Sequence, residues 1–313
     1  LKTALGIEIL GALLMLPVFV KDFGFFKGIW YAVFHSISAF CNAGFDLMGV
    51  NAEYSSLTGY ASQPVINMTI MALIVIGGIG FFTWNDIRTN GRHFGKYRVQ
   101  SKVALTVTAV LIAVPAAWFF FCEFSELPLG ERILSSLFQS VTPRTAGFNT
   151  VDLTMISEVG LTVMIILMLV GGSPGSTAGG MKTTTVAVLF STSLAVFRQK
   201  ESAHFFKRRI PDDAIRNAGT VMMMYVVLFL TGGMAISFME EIPIVTALFE
   251  TASAIGTVGL SLGVTPTLGL ASRLILIGLM FFGRVGGLTL IYATLSKQHW
   301  GGTKYPQEKI TVG

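Results

Sequence analysis

Three short segments hold the residues of most chemical interest: Asn42-Ala43-Gly44-Phe45, Thr145-Ala146-Gly147-Phe148 and Thr257-Val258-Gly259-Leu260. None pairs a nucleophile with a base, and no carboxylate cluster accompanies them, so the chemistry on offer is that of the backbone. Glycine admits backbone angles closed to other residues, and small neighbours let such segments converge. Carbonyl oxygens gathered in this way can replace the hydration shell of a weakly held monovalent cation that must leave again. Glycines in membrane helices also serve close packing alone. Three occurrences in one register favour the filter reading over that alternative.

The elements that would position these segments also repeat. Each segment ends a short apolar stretch, at 30–41, 132–142 and 244–255. At ~11 residues these cannot span a bilayer, but they suit half-helices that enter from one side. Longer apolar runs flank each one: 2–20 and 64–84, then 103–122 and a broken 160–197, then 218–238 and 272–293. Phe34-His35-Ser36, Phe138-Gln139-Ser140 and Phe249-Glu250-Thr251 align ahead of the glycines, and the second copy needs a one-residue gap. The unit is helix, pore half-helix, small-residue strand, helix. Its three copies divide the chain at 1–100, 101–215 and 216–313, with a tail at 297–313.

Composition agrees. Hydrophobic residues make up 52% of the 313 and charged residues 12%, against about 25% charged in soluble domains. Mean hydropathy is +0.69. A disordered chain is excluded, a soluble enzyme is disfavoured, and two cysteines exclude a disulfide framework. The expected fold is an all-α polytopic membrane protein of tandem M1–pore-helix–M2 repeats around a pseudo-symmetric pore.

The net charge of +5 reads as topology rather than nucleic-acid binding. Arg88, Arg92, Lys96, Arg98 and Lys102 crowd one inter-unit loop; Arg198, Lys200, Lys207, Arg208, Arg209 and Arg216 crowd the next. Segments inside the units lean acidic. The inter-unit loops and C-terminus are therefore expected to be cytoplasmic, and the half-helices to enter from outside with their negative C-terminal ends at mid-membrane. No signal peptide is evident, and the Leu1 start suggests that sequence precedes it.

The run 160–197 breaks at Gly171-Gly172-Ser173-Pro174-Gly175-Ser176-Thr177-Ala178-Gly179-Gly180-Met181-Lys182. Five glycines and a proline cannot hold a straight helix. Such a segment must line a cavity, and it is placed below the glycine segments as a gate. Arg284 lies ~18 Å into the last apolar run, where a charge needs a cavity or a partner; loop carbonyls would serve. Arg144 closes the second half-helix and is expected to brace it by capping carbonyls or holding a carboxylate. His35 and Cys41 read as packing or hydrogen-bonding residues. The partner of Glu8 stays open.

Ser140-Val141-Thr142-Pro143-Arg144-Thr145-Ala146-Gly147-Phe148-Asn149-Thr150 resembles the third pore-loop signature of the Trk/Ktr/HKT potassium transporters. Residues 34–45 are similar to the second pore loop of the Ktr membrane subunit, 249–260 with Gly263 to the fourth, and 304–313 to its C-terminus. The resemblance covers essentially the whole chain and implies units two to four, the first being absent. It implies K+ at the carbonyls of residues 42–45, 145–148 and 257–260, with Na+ as an activator. It implies an intramembrane gate at Gly171, Gly172, Gly175, Ser176, Thr177, Gly179, Gly180 and Lys182, with Arg284 in the same role. It also implies a homodimer in the plasma membrane under a cytosolic nucleotide-binding ring of RCK/KtrA type, with no covalent cofactor, no transition metal and no enzymatic activity. A cation-coupled secondary transporter with its site at the broken helix is the alternative. A hydrolase using Ser173 or Ser176 with His35 is a remote third.

Overall fold

The structure is a computed structural model that describes residues 2–50 and 54–286. The regular structure of the described residues is almost entirely helical. In chain order the helices are α1 (Lys2–Phe23), α2 (Phe25–Phe40), α3 (Pro64–Gly78), α4 (Phe81–Asn90), α5 (Val99–Trp118), α6 (Leu129–Val141), α7 (Glu158–Leu169), α8 (Thr183–Phe197), α9 (Asp212–Glu240), α10 (Ile244–Gly256) and α11 (Leu270–Val285). A two-residue-per-strand hairpin, β1 (His204–Phe205) with β2 (Arg208–Arg209), is the only sheet among them. By length and hydropathy, α1, α5 with its extension to Glu123, and α9 can each cross a membrane.

Two apolar runs are broken, and only the first of them was expected to form one straight helix. The run 64–84 divides into α3 and α4, bent by 95° at Gly80, whose φ of 91° only glycine adopts readily. The run 160–197 divides into α7 and α8 around the glycine loop. The last run is described only as far as Gly286, so its remainder and the tail at 297–313 lie outside the described residues.

Each long first helix folds back sharply onto a short one. Gly24, at φ 79°, turns α1 directly into α2, and its N–H closes on the Val20 carbonyl at 3.0 Å. Gly28 then lies so close to the Val20 backbone that a Cβ there would sit 2.5 Å from its Cα. Close approach of this kind, rather than a hydrophobic driving force, is what holds helices together in lipid. α5 carries Pro115 and ends in a π-turn at Phe119–Glu123. Arg132 of α6 donates from Nε to the Phe120 carbonyl at 2.7 Å and lays its guanidinium 4.1 Å from the Phe120 ring centroid.

A carboxylate at the end of each first helix ties it to the second helix of the same unit. Asp22 accepts from Tyr60 Oη at 2.8 Å, just ahead of α3. Glu123 accepts from the amide and hydroxyl of Ser157, the N-cap of α7, both at 2.7 Å. Glu240 accepts from the Gly269 amide at 2.9 Å and from Ser272 Oγ at the start of α11. These bonds fix one end of each helix pair.

Replacing Gly28 by alanine should force α1 and α2 apart. Overpacking costs about 1–3 kcal/mol, and thermal unfolding of the purified protein in detergent measures it.

Candidate functional site: converging glycine turns over a docked loop

The short helices α2, α6 and α10 end in turns of one design. Asn42 and Gly44 have φ of 50° and 71°, Thr145 and Gly147 of 66° and 83°, Thr257 and Gly259 of 53° and 94°. The residue between, Ala43, Ala146 or Val258, stays at negative φ. A left-handed threonine is a true outlier, since its branched Cβ opposes that conformation. Alternating hand turns successive peptide planes alike, with N–H groups gathered on one side and carbonyls on the other.

Hydrogen bonds back to the short helix fix each turn. The amides of Ala43, Gly147 and Val258 donate to the carbonyls of Ser38, Thr142 and Ser253. Ser38 Oγ donates to the Phe45 carbonyl at 2.7 Å, and Thr142 Oγ1 to the Phe148 carbonyl at 2.5 Å. Ser253 Oγ instead accepts the Gly259 amide at 3.1 Å. The hydroxyl residue stands six positions before the glycine in the outer units and five before it in the middle one, which locates the one-residue gap.

The turns lie side by side. A Cβ on Gly44 would collide with the Ala146 carbonyl oxygen, and one on Gly147 with the Val258 carbonyl oxygen. Above them opens a cavity of about 840 Å³, lined by Gly44, Gly147 and Gly259 and by the residues two positions on, Asp46, Asn149 and Ser261. Those three side chains each accept the amide two residues further along, at Met48, Val151 and Gly263. Such side-chain turns set the direction in which the chain leaves the glycine. Asp152 at the rim is held below the ordinary carboxylate range by the Thr154 hydroxyl and then by the Thr154 amide.

Three buried polar residues on the short helices anchor the departing chain. His35, Gln139 and Glu250 each follow the aligned phenylalanine. Leu47 N–H donates to His35 Nε2 at 3.3 Å, while His35 Nδ1 bonds the Tyr31 carbonyl at 2.7 Å. Gln139 reaches Asn149 Oδ1 at 3.5 Å. Glu250 accepts from Ser261 Oγ, the Leu262 amide and Thr265 Oγ1 at 2.7, 3.0 and 2.7 Å. The roles of Gln139 and Glu250 were missed in the sequence, although their shared register with His35 was a usable signal. Both ring nitrogens of His35 are engaged, and Ser173 Oγ pairs with Thr183 Oγ1 at 2.9 Å, so no serine–histidine pair forms.

Beneath the turns runs the loop between α7 and α8. It closes at its neck, where the Gly171 amide donates to the Met181 carbonyl at 2.8 Å and the Thr183 amide to Gly172 at 3.1 Å. Its body fills the bend between α3 and α4. Ser173 N–H donates to the Gly78 carbonyl at 2.9 Å, Thr177 N–H to Gly77 at 3.4 Å, and Phe81 N–H to the loop's Gly175 carbonyl at 2.9 Å. The broken helix and the loop thereby satisfy each other's backbone groups.

The loop touches the first and last turns. Thr177 Oγ1 lies 2.9 Å from Asn42 Oδ1 and 3.1 Å from the Phe40 carbonyl. Gly179 packs on Thr257 so closely that a Cβ would overlap its Oγ1. Arg284 Nη1 donates to the Thr177 carbonyl at 3.0 Å, and Lys182 Nζ to the Ala178 carbonyl at 2.7 Å. Arg284 therefore meets a loop carbonyl, and Lys182 folds onto its own loop.

Arg144 differs from expectation. Its guanidinium is buried and donates from Nη2 to Thr108 Oγ1 on α5 at 3.2 Å, with Nε unpaired. Among the described residues it meets no carboxylate and caps no helix carbonyl. Glu8 likewise forms no ion pair there; its carbonyl takes Ser36 Oγ at 2.6 Å. Clusters of His, Cys, Asp or Glu able to hold a metal ion are absent among the described residues.

Short helices ending in converging glycine turns, with an irregular loop packed below and several helices long and apolar enough to cross a membrane, define a polytopic membrane protein. The family model for TrkH cation transport proteins matches residues 1–300. The chain is 40% identical to the potassium/sodium uptake protein NtpJ of Enterococcus hirae, covering all of this chain and 70% of that protein. It is 35% identical to the Ktr system potassium uptake protein B of Bacillus subtilis, covering 99% of this chain and 69% of that one. The crystal structure of the potassium transporter TrkH from Vibrio parahaemolyticus superposes with a TM-score of 0.75 at 19% identity, over 93% of this chain and 62% of that one. The chain belongs to the TrkH family of cation transport proteins, in its Trk/Ktr branch, and is a transporter rather than an enzyme.

Thr108→Val removes the only side-chain partner of Arg144 among the described residues. An orphaned buried donor costs about 1–3 kcal/mol, so the variant should unfold at lower temperature than wild type in a detergent melt.

Proposed function

We propose that this chain moves potassium across the cell membrane, down its electrochemical gradient, along a path lined by the carbonyls of residues 42–45, 145–148 and 257–260. One observation carries the reading. Three turns share a positive–negative–positive φ pattern ending in glycine, and they stand so close that a neighbouring carbonyl occupies the place of a Cβ at Gly44 and Gly147. Carbonyls held in that way substitute for water around a monovalent ion. The negative ends of α2, α6 and α10 add a favourable field. The names of the relatives support potassium as cargo, with sodium as a second transported ion.

The three units divide at 1–100, 101–215 and 216–313. The glycine loop, its Gly171, Gly172, Gly175, Ser176, Thr177, Gly179, Gly180 and Lys182, is the gate, and Arg284 holds it shut through the Thr177 carbonyl. Arg144 braces the middle turn against α5. The basic loops face the cytoplasm by the positive-inside rule. The place of relatives in a Ktr system supports a partnership with soluble regulatory subunits; in this reading the chain is a homodimer under a cytosolic ring, with the loop at 198–216 and the C-terminal tail as contact candidates.

Rubidium and sodium flux into proteoliposomes holding the full-length protein tests the path. Wild type should pass rubidium in preference to sodium, and Gly147→Ser, whose Cβ meets the Val258 carbonyl, should lose that preference. Flux that requires a sodium or proton gradient and ignores the substitution sinks the pore and favours a coupled transporter.

The gate has its own test. Thr177→Val and Arg284→Gln each delete hydrogen bonds worth about 0.5–1.5 kcal/mol, so each should raise rubidium flux roughly three- to tenfold. Unchanged flux in both, with intact folding, contradicts a latch at Thr177.

A further inference from the structure

A small cavity of about 110 Å³ lies at the foot of α8, lined by Ser191, Leu194, Ala195, Arg198, Lys200 and His204. Its polar wall holds two cations and an imidazole, and no carboxylate lines it. Of the acidic residues close by in the sequence, Glu201 and Asp213 are exposed and Asp212 pairs with Arg209 at 3.4 Å.

The backbone builds this wall. α8 ends in a reversal around Gln199, at φ 52°. The Arg198, Gln199 and Lys200 amides donate to the carbonyls of Leu194, Val196 and Ala195 at 3.1, 2.9 and 2.9 Å. That is a Schellman ending, with Lys200 as the closing residue. It pairs two of the four terminal carbonyls, those of Ala195 and Val196, and so lessens the repulsion of an anion by the helix end. β1 then brings His204 back over α8, where Ser191 Oγ donates to its carbonyl at 3.4 Å.

Directly beside the cavity, Phe190, Leu194 and Phe197 form an exposed stripe at helical spacing. Leu194 belongs to both stripe and cavity. An apolar strip that runs into a cationic pocket matches an amphiphile with an anionic head.

We propose that the foot of α8 binds one anionic phospholipid, its phosphate held by Arg198, Lys200 and His204 and its acyl chains along Phe190, Leu194 and Phe197. The site rests on the cytoplasmic placement of this loop, where anionic lipid draws basic segments to the surface. It leaves Arg208, exposed on β2 of the hairpin, for a cytosolic partner.

Native mass spectrometry of the full-length protein tests it. Delipidated protein is titrated with phosphatidylglycerol or phosphatidylcholine, with and without inorganic phosphate. Phosphatidylglycerol should bind more tightly. Arg198→Gln with Lys200→Gln should weaken that binding roughly tenfold or more, while the control pair Arg88→Gln with Arg92→Gln leaves it unchanged. Phe197→Ser should weaken it as well, which separates a lipid from a free anion.

Equal binding of the two lipids, or binding indifferent to Arg198 and Lys200, overturns the proposal. So does full displacement by inorganic phosphate with no effect of Phe197→Ser, which indicates a free-phosphate site. Loss of lipid in a variant whose circular dichroism is unchanged supports it. The readout needs no ion flux, so failure here is distinct from failure of the transport reading. Lys200→Cys, with Cys41 and Cys122 replaced by serine, should label from the cytoplasmic side of sealed vesicles, and labelling from the outside alone overturns the placement on which the site rests.

Discussion

A peptide carbonyl or amide left unpaired in hydrocarbon costs several kcal/mol, and this chain carries irregular backbone at four places inside its helical frame. Three are the turns after α2, α6 and α10; the fourth is the loop between α7 and α8. Each is tolerated because its polar groups find partners. In the turns, the amides return to the short helix that precedes them, and hydroxyls from Ser38 and Thr142 cover the carbonyls that end the turn. The other turn carbonyls accept no backbone hydrogen bond among the described residues.

The loop obeys the same constraint by using another defect. Bending a helix by 95° frees carbonyls and amides at the bend. Gly77, Gly78 and Phe81 supply those groups, and Ser173, Gly175 and Thr177 take them up. Gly80 allows the bend, and a Cβ there would strike the Pro174 carbonyl. Two irregular segments, far apart in sequence, are stable together where neither would be alone. Thr177 adds a side-chain link to Asn42 and Phe40, so the loop and the first turn share one hydrogen-bond network.

Much of this was legible in the sequence, and the rest was not, for identifiable reasons. Glycines in register marked the turns, because only a left-handed backbone demands glycine at Gly44, Gly147 and Gly259. The glycine loop announced itself by composition, and Arg284 by its depth. The bend at Gly80 was hidden inside an unbroken apolar run, since hydropathy is blind to the direction of a helix. Arg144 was assigned a carbonyl or carboxylate partner, but a hydroxyl one helix away serves it. The carboxylates Asp22, Glu123 and Glu240 ended the first helices in plain view, yet acidic residues outside a bilayer read as topology signals. Only the folded chain shows that each one stitches two helices together.

The docked loop has a consequence for water. If it withdraws, Gly77, Gly78 and Phe81 lose their partners together, and in a low-dielectric interior only solvent can replace them. Any movement of the loop is therefore also a wetting event, in which several molecules enter the bend as protein bonds leave it. Its equilibrium then depends on the activity of water itself. A solute too large to enter the bend shifts the balance toward the docked arrangement without touching the protein, so osmotic strength would act on this segment directly.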